Sequence, residues 1–216
     1  MSPHPNFWRA RDGGFVPSAF SASLRWGRSL LVVACLFTFA PALHAQESVI
    51  TLDPAATKIE FTLAATMHTV HGTFKLKNGE IHWDPATGHV SGAIVIDATS
   101  GNTDNTSRDK NMHAQILESA KFPEIVFTPA QIKGAIPKAG SSQVEVSGVI
   151  RLHGQDDPVT LTFSVQPGAG GSLQASTQFG VPYVKWGLKN PSTFLLHVSD
   201  TVNVEIHATA YLAPDH

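Results

Sequence analysis

The sequence predicts an all-β domain of about eight antiparallel strands, with one short helix between two of them. Three observations carry this. Apolar and polar residues alternate with period two over much of residues 58–212. Clusters of Gly, Pro, Asn and Asp punctuate that alternation. One segment, Ser107 to Ser119, abandons it for helical spacing.

Taken in order, Ile59, Phe61, Leu63 and Ala65 oppose Lys58, Glu60, Thr62 and Ala64 across the first strand. Strands at about 71–83 and 90–98 follow, joined through Asp84-Pro85 and Thr87-Gly88, and Asn78-Gly79 is a further turn signal. In the segment SRDKNMHAQILES, Met112 and Ile116 stand four apart, and Thr106 and Asp109 have capping-box spacing. This predicts one helix of about ten to twelve residues, ended by Lys121-Phe122-Pro123. A strand at about 124–134 comes next. Val144, Val146, Ile150 and Leu152 then alternate with Glu145, Ser147 and Arg151. The cleanest strand is DPVTLTFSVQ, with Val159, Leu161, Phe163 and Val165 on one face. Pro167-Gly168-Ala169-Gly170-Gly171 turns the chain into a strand carrying Leu173, Ala175 and Phe179. Val202, Val204, Ile206, Ala208, Ala210 and Leu212 mark the inner face of the last one. The short links make the sheet mostly antiparallel.

Composition narrows the function. The chain has 216 residues, enough for one ordinary domain with appendages. Its 15 Lys and Arg against 17 Asp and Glu leave no basic surplus for a phosphate backbone, so nucleic acid is not an expected partner. A single cysteine excludes an internal disulfide and any Cys-cluster metal site.

Residues 1–45 are expected to be a leader and signal peptide. Arg25 and Arg28 precede the apolar run SLLVVACLFTFA, and PALHAQ follows it with the small Ala45 before Gln46. The run is shorter than the roughly 20 residues that span a bilayer. Cleavage after Ala45 is expected, with a cut after Ala42 as the alternative. Loss of four basic residues (Arg9, Arg11, Arg25, Arg28) and one acid (Asp12) leaves 11 basic and 16 acidic residues, a net charge of −5. Cys35 goes with the leader. The exported chain, 46–216, would be thiol-free and stable through its core alone.

Two closures suit such strands: a sandwich with two apolar faces packed together, or a barrel with its apolar face inward. Eight strands closed into a barrel leave room for one small ligand. Gly92, Ala98, Gly148, Ala175, Ala208 and Ala210 are small inward candidates that favour a hollow, unless large neighbours fill the space.

Several blocks resemble the YceI-like family. They are His71-Gly72-Thr73-Phe74, Asn105-Thr106-Ser107-Arg108-Asp109, Met112-His113, Ile116-Leu117-Glu118-Ser119 and Lys121 to Phe127 (KFPEIVF). Val146 to Gly154 (VSGVIRLHG), Pro158-Val159-Thr160-Leu161 and Val198-Ser199-Asp200 extend the match over about residues 49–212. The resemblance implies an antiparallel, eight-stranded, lipocalin-like barrel. It also implies export to the periplasm and an isoprenoid lipid (a polyprenyl chain or quinone tail) in the lumen. On that reading the inward faces are the ligand wall. Phe61, Leu63, Phe74, Leu76 and Trp83 come from the first half of the domain, with Ile94, Ile96 and Phe127. Leu161, Phe163, Ala175, Phe179, Val204, Ile206 and Ala208 come from the second. Asn111 stands where many members carry His, so a role for that His does not transfer. The stretch Val181 to Leu188 is variable in the family, which leaves the headgroup preference open.

Arg108 and Asp109 have two readings: a headgroup contact at the barrel mouth, or a staple holding the helix to the barrel, with Asp109 also favoured by the helix dipole. Nine histidines lie outside the leader, without an HExxH or His-x-His pattern, so no metal site is expected. No Gly-x-Ser-x-Gly elbow occurs, and no catalytic residue or cofactor is expected. The expected function is sequestration or carriage of lipid, with transient contact at a membrane surface. The rival is a non-enzymatic, stress-related structural or protein-interaction module with a filled core. The sequence leaves the oligomeric state open, a dimer included.

Overall fold

A computed structural model describes residues 47–214, so the signal-peptide expectation lies outside the described residues. Nine antiparallel strands fill the eight positions of a closed barrel. They are β1 (Ser48–Leu52), β2 (Lys58–Ala65), β3 (His68–Trp83), β4 (Val90–Asn102), β5 (Glu124–Lys133), β6 (Ser142–Leu152), β7 (Gln155–Pro167), β8 (Ser172–Val181) and β9 (Val202–Pro214). Sequential neighbours pair from β2 to β9, and β2 pairs with β9 to close the ring. Closure leaves no long unpaired edge. The sandwich alternative is thereby excluded.

The strand not foreseen is β1. It shares one position with β2: both lie between β3 and β9, with Ile50 opposite Ile81 and Leu212, and Ile59 opposite Phe74 and Ile206. Asn78-Gly79 is not a turn. Neither residue takes the left-handed conformation that a tight hairpin needs. The strand runs through them, with a register shift against β4 between Leu76 and Asn78.

The helical insertion is α1 (Thr106–Asn111), continued by a π-helical turn over Met112–Ile116. Its N-cap is Asn105, not Thr106: the Asn105 side chain accepts from the Arg108 amide at 3.0 Å. The Leu117 amide donates to the Met112 carbonyl at 2.9 Å, the wider spacing of a π turn. Glu118 (φ 46°) then ends the helix, and Lys121 and Phe122 donate their amides to its carbonyl.

The up-and-down order sends the connections β2–β3, β4–β5 (with α1), β6–β7 and β8–β9 to one end of the barrel. β3–β4, β5–β6 and β7–β8 turn at the other. That second end is solid: Ile50, Ile81, Trp83, Val90, Ile132, Val144 and Val165 are all buried in one cluster. The alternation read from sequence is visible along β6, where Val144, Val146, Ile150 and Leu152 are buried and their neighbours are not.

Candidate functional site

The end carrying α1 is hollow. A cavity of about 860 Å³ runs down the barrel there, walled by side chains from β2–β9 and by the helical insertion. Each lining strand contributes alternate residues, as period two requires: Ile59, Phe61 and Leu63 from β2, Leu161 and Phe163 from β7, and Val202, Val204, Ile206 and Ala208 from β9. Phe61 and Phe74 meet with ring centroids 5.2 Å apart. Gly72, opposite Phe61 in the β2–β3 register, makes room for that pair. A Cβ there would fall on the Phe61 ring and lie 2.7 Å from the Asn102 carbonyl oxygen.

Thirteen of the fifteen residues assigned to the lumen wall line this cavity: Phe61, Leu63, Phe74, Leu76, Ile94, Ile96, Phe127, Leu161, Phe163, Phe179, Val204, Ile206 and Ala208. Trp83 and Ala175 do not. Trp83 sits in the solid end, beside the β3–β4 turn, and its indole Nε1 has no hydrogen-bond partner. Ala175, opposite Val165 and Ala208, packs against the core cluster below the hollow. Period two names the face a residue points to, but not its height along the barrel.

The largest contribution that the alternation does not show comes from two connections. The segment after β8 places Tyr183, Trp186, Leu188, Pro191, Leu196 and Val198 in the wall. The helical insertion adds Met112, Ile116 and Leu117. The spacing of Met112 and Ile116 marked a helix in the sequence, and these are the side chains it turns toward the cavity. The β8–β9 segment had no periodicity to mark it. Its aromatic content, Tyr183 and Trp186, was the available signal.

Polar groups gather at one place on this apolar wall. Thr103, Asn105, Ser107, Arg108 and Asn111 line it from the start of the insertion. Asn105, Ser107, Asn111 and, at the start of β3, His68 are exposed, so the cavity reaches solvent there. Among the described lining residues only Arg108 carries a fixed charge. Its Nε donates to Thr103 Oγ1 at 2.7 Å and its Nη2 to the Thr103 carbonyl at 2.7 Å. Asp109 accepts from the Thr103 amide at 3.0 Å and from its hydroxyl at 2.5 Å. Buried Thr103 is therefore held by hydrogen bonds with both residues. Asp109 does not line the cavity; Arg108 does.

Other contacts fix the rim. His113 Nε2–H donates to the Gly101 carbonyl at 2.8 Å, since a carbonyl can only accept. Its Nδ1 then accepts the Ser119 hydroxyl at 3.0 Å. The Tyr183 hydroxyl donates to the Ser199 carbonyl at 2.8 Å. Burial, reinforced by nearby Asp200, pushes its pKa above the ordinary value. Carboxylates stay outside: Lys77–Glu124 (2.7 Å) and Arg151–Asp156 (2.6 Å) are exposed ion pairs. Among the described residues no group of three or more His, Cys, Asp or Glu is placed to hold a metal ion.

A closed barrel that is solid at one end and hollow, apolar and open at the other defines a container-type β-barrel domain. The chain belongs to the YceI-like domain family, whose model matches residues 50–210. A UPF0312 protein of Vibrio cholerae is 26% identical over 179 residues, covering 81% of this chain and 92% of that protein. Protein YceI of Salmonella paratyphi B is 33% identical over 96 residues, 43% of this chain and 47% of its own. Among solved structures, a polyisoprenoid binding domain from Saccharophagus degradans, implicated in plant cell wall breakdown, superposes with a TM-score of 0.60. It is 18% identical and covers 76% of this chain and 98% of its own. Burkholderia cenocepacia BcnA gives a TM-score of 0.59 at 17% identity, over 73% and 98% of the two chains.

Proposed function

We propose that this protein binds an isoprenoid lipid, a polyprenyl chain or a quinone tail, in the barrel lumen, and that it sequesters or carries the lipid without making or breaking a bond. The observation that carries the reading is the cavity of about 860 Å³ with an almost wholly apolar wall. A filled-core interaction module would leave no such space. Each methylene of a tail moved from water into it contributes roughly 0.8 kcal/mol, so a long tail needs few polar contacts. The polar side chains of Arg108, Asn105 and Asn111 border the cavity at its open end, which supports a headgroup lodging there. The solved polyisoprenoid binding domain of the same fold supports the choice of tail.

The apolar run Ser29 to Ala40 behind Arg25 and Arg28, with the small Ala45 before Gln46, supports a leader over 1–45, a mature N-terminus at Gln46 and action in the periplasm after export. The binding test is a titration with a polyprenyl alcohol in detergent, followed by the emission of Trp186, which lines the cavity. Saturable change at one equivalent is expected, lost in Trp186→Phe. A linear response without saturation would overturn the reading.

A further inference from the structure

The open end carries three large apolar side chains that no described residue covers. Met67, Phe194 and Leu195 are 97%, 101% and 85% exposed. Met67 is one of the two residues turning β2 into β3, since Ala65 and His68 are the last paired residues. Phe194 and Leu195 are the central residues of a turn closed by the Thr193 amide on the Leu196 carbonyl (2.8 Å) and the Leu196 amide on Thr193 Oγ1 (3.2 Å). The two turns are joined. The Thr66 amide donates to the His197 carbonyl at 2.8 Å and the Ser199 amide to the Ala64 carbonyl at 2.9 Å, while Val198 bridges Ala65.

Neither turn is built as an ordinary solvated loop. Met67 holds φ 80°, a conformation that Gly or Asn adopts at lower cost. No Asp or Glu occurs in residues 61–79 or 190–199. The neighbours of these tips face the other way: Ala65, His68, Leu196 and Val198 line the cavity. The apolar tips and the open end of the lumen therefore share the same two turns.

We infer that Met67, Phe194 and Leu195 form a membrane-docking tip that inserts into the interface of a lipid bilayer and sets the mouth of the lumen on the lipid surface. This rests on the lipid-binding function proposed above. A second protein is the poorer occupant. An aromatic side chain buries only about 150–250 Å², and three tips fall short of the roughly 800 Å² per partner of a stable interface. Protruding apolar tips whose own turns carry no acidic residue suit the interfacial region instead, where their burial drives attachment. A tail entering from the bilayer would then pass from lipid to lumen beside Leu196 and Val198 without crossing water.

Residue-level insertion tests this in the exported chain, residues 46–216. In this chain, which carries no native thiol, Phe194→Cys and Lys138→Cys each receive an environment-sensitive dye. Lys138 lies in the β5–β6 connection at the solid end. Vesicles of phosphatidylethanolamine and phosphatidylglycerol with brominated acyl chains, free of isoprenoid, serve as the probe. Strong quenching at 194 and little at 138 is expected. Equal quenching at both positions, or none at 194, overturns the inference. So does self-quenching at 194 without vesicles, which would show a second copy on the tips. In a second arm, Phe194→Ser with Leu195→Ser should slow uptake of a fluorescent polyprenol from vesicles about tenfold or more, while uptake from detergent micelles holds. Unchanged uptake from vesicles overturns it. If wild-type protein takes no polyprenol from micelles, the lipid-binding function has failed, and the quenching arm still decides the docking tip.

Discussion

Ala208→Phe separates a ligand lumen from a packed core. Ala208 is buried and borders the cavity from β9. A phenyl ring built there projects into open space. If it displaces about three carbons of a bound tail, affinity falls by about 2.4 kcal/mol, roughly fifty-fold. Stability should hold or rise, because the ring gains apolar contact without displacing protein atoms. Its neighbour on β8 is the control. Ala175 is paired with Ala208 but packs against the core instead of the cavity. Ala175→Phe should therefore overpack and lose about 1–3 kcal/mol. Urea unfolding gives both stabilities, and titration with a polyprenyl alcohol gives both affinities. The reasoning is refuted if Ala208→Phe is destabilised as much as Ala175→Phe and binds the alcohol unchanged.

Three further outcomes follow from the geometry. Arg108→Ala strips two hydrogen bonds from buried Thr103 and should lower stability by about 1–3 kcal/mol in urea unfolding, with affinity for an uncharged polyprenol little changed. Gly72→Ala forces the Phe61 ring away from the wall and should cost about 1–3 kcal/mol while narrowing the lumen; urea unfolding and polyprenol titration measure the two effects. Tyr183 has a folded pKa raised above its ordinary value near 10, so the folded state holds that proton when the unfolded chain has lost it. Its contribution is complete below about pH 10 and is lost as pH rises from there toward the folded value; melting temperatures against pH should show that alkaline loss flattened in Tyr183→Phe.

The strands were legible because each has one face against protein and one against water, which writes period two into β2, β6, β7 and β9. The same periodicity identified most of the lumen wall. It could not separate solid end from hollow end, because Trp83 and Phe61 carry the same local pattern and differ only in height along the barrel. Asn78-Gly79 misled for a related reason. Turn chemistry states what a backbone can do, and pairing with β4, Asn78 opposite Val95 and Gly79 opposite Ile94, keeps that stretch of β3 extended. The helix began one residue earlier than its capping pattern suggested, because the Asp109 carboxylate is committed to Thr103 and Asn105 is free to cap. Tyr183, Trp186 and Leu196 escaped notice because they sit in irregular backbone, where burial follows tertiary packing alone.

The central claim is that the hollow end holds an isoprenoid lipid. Native mass spectrometry of the protein purified from its own cell envelope tests it most directly. The expected result is one bound species per chain, released by organic solvent and identified as a polyprenyl or quinone lipid. A clean apo mass, together with no uptake of polyprenol from micelles, would contradict it.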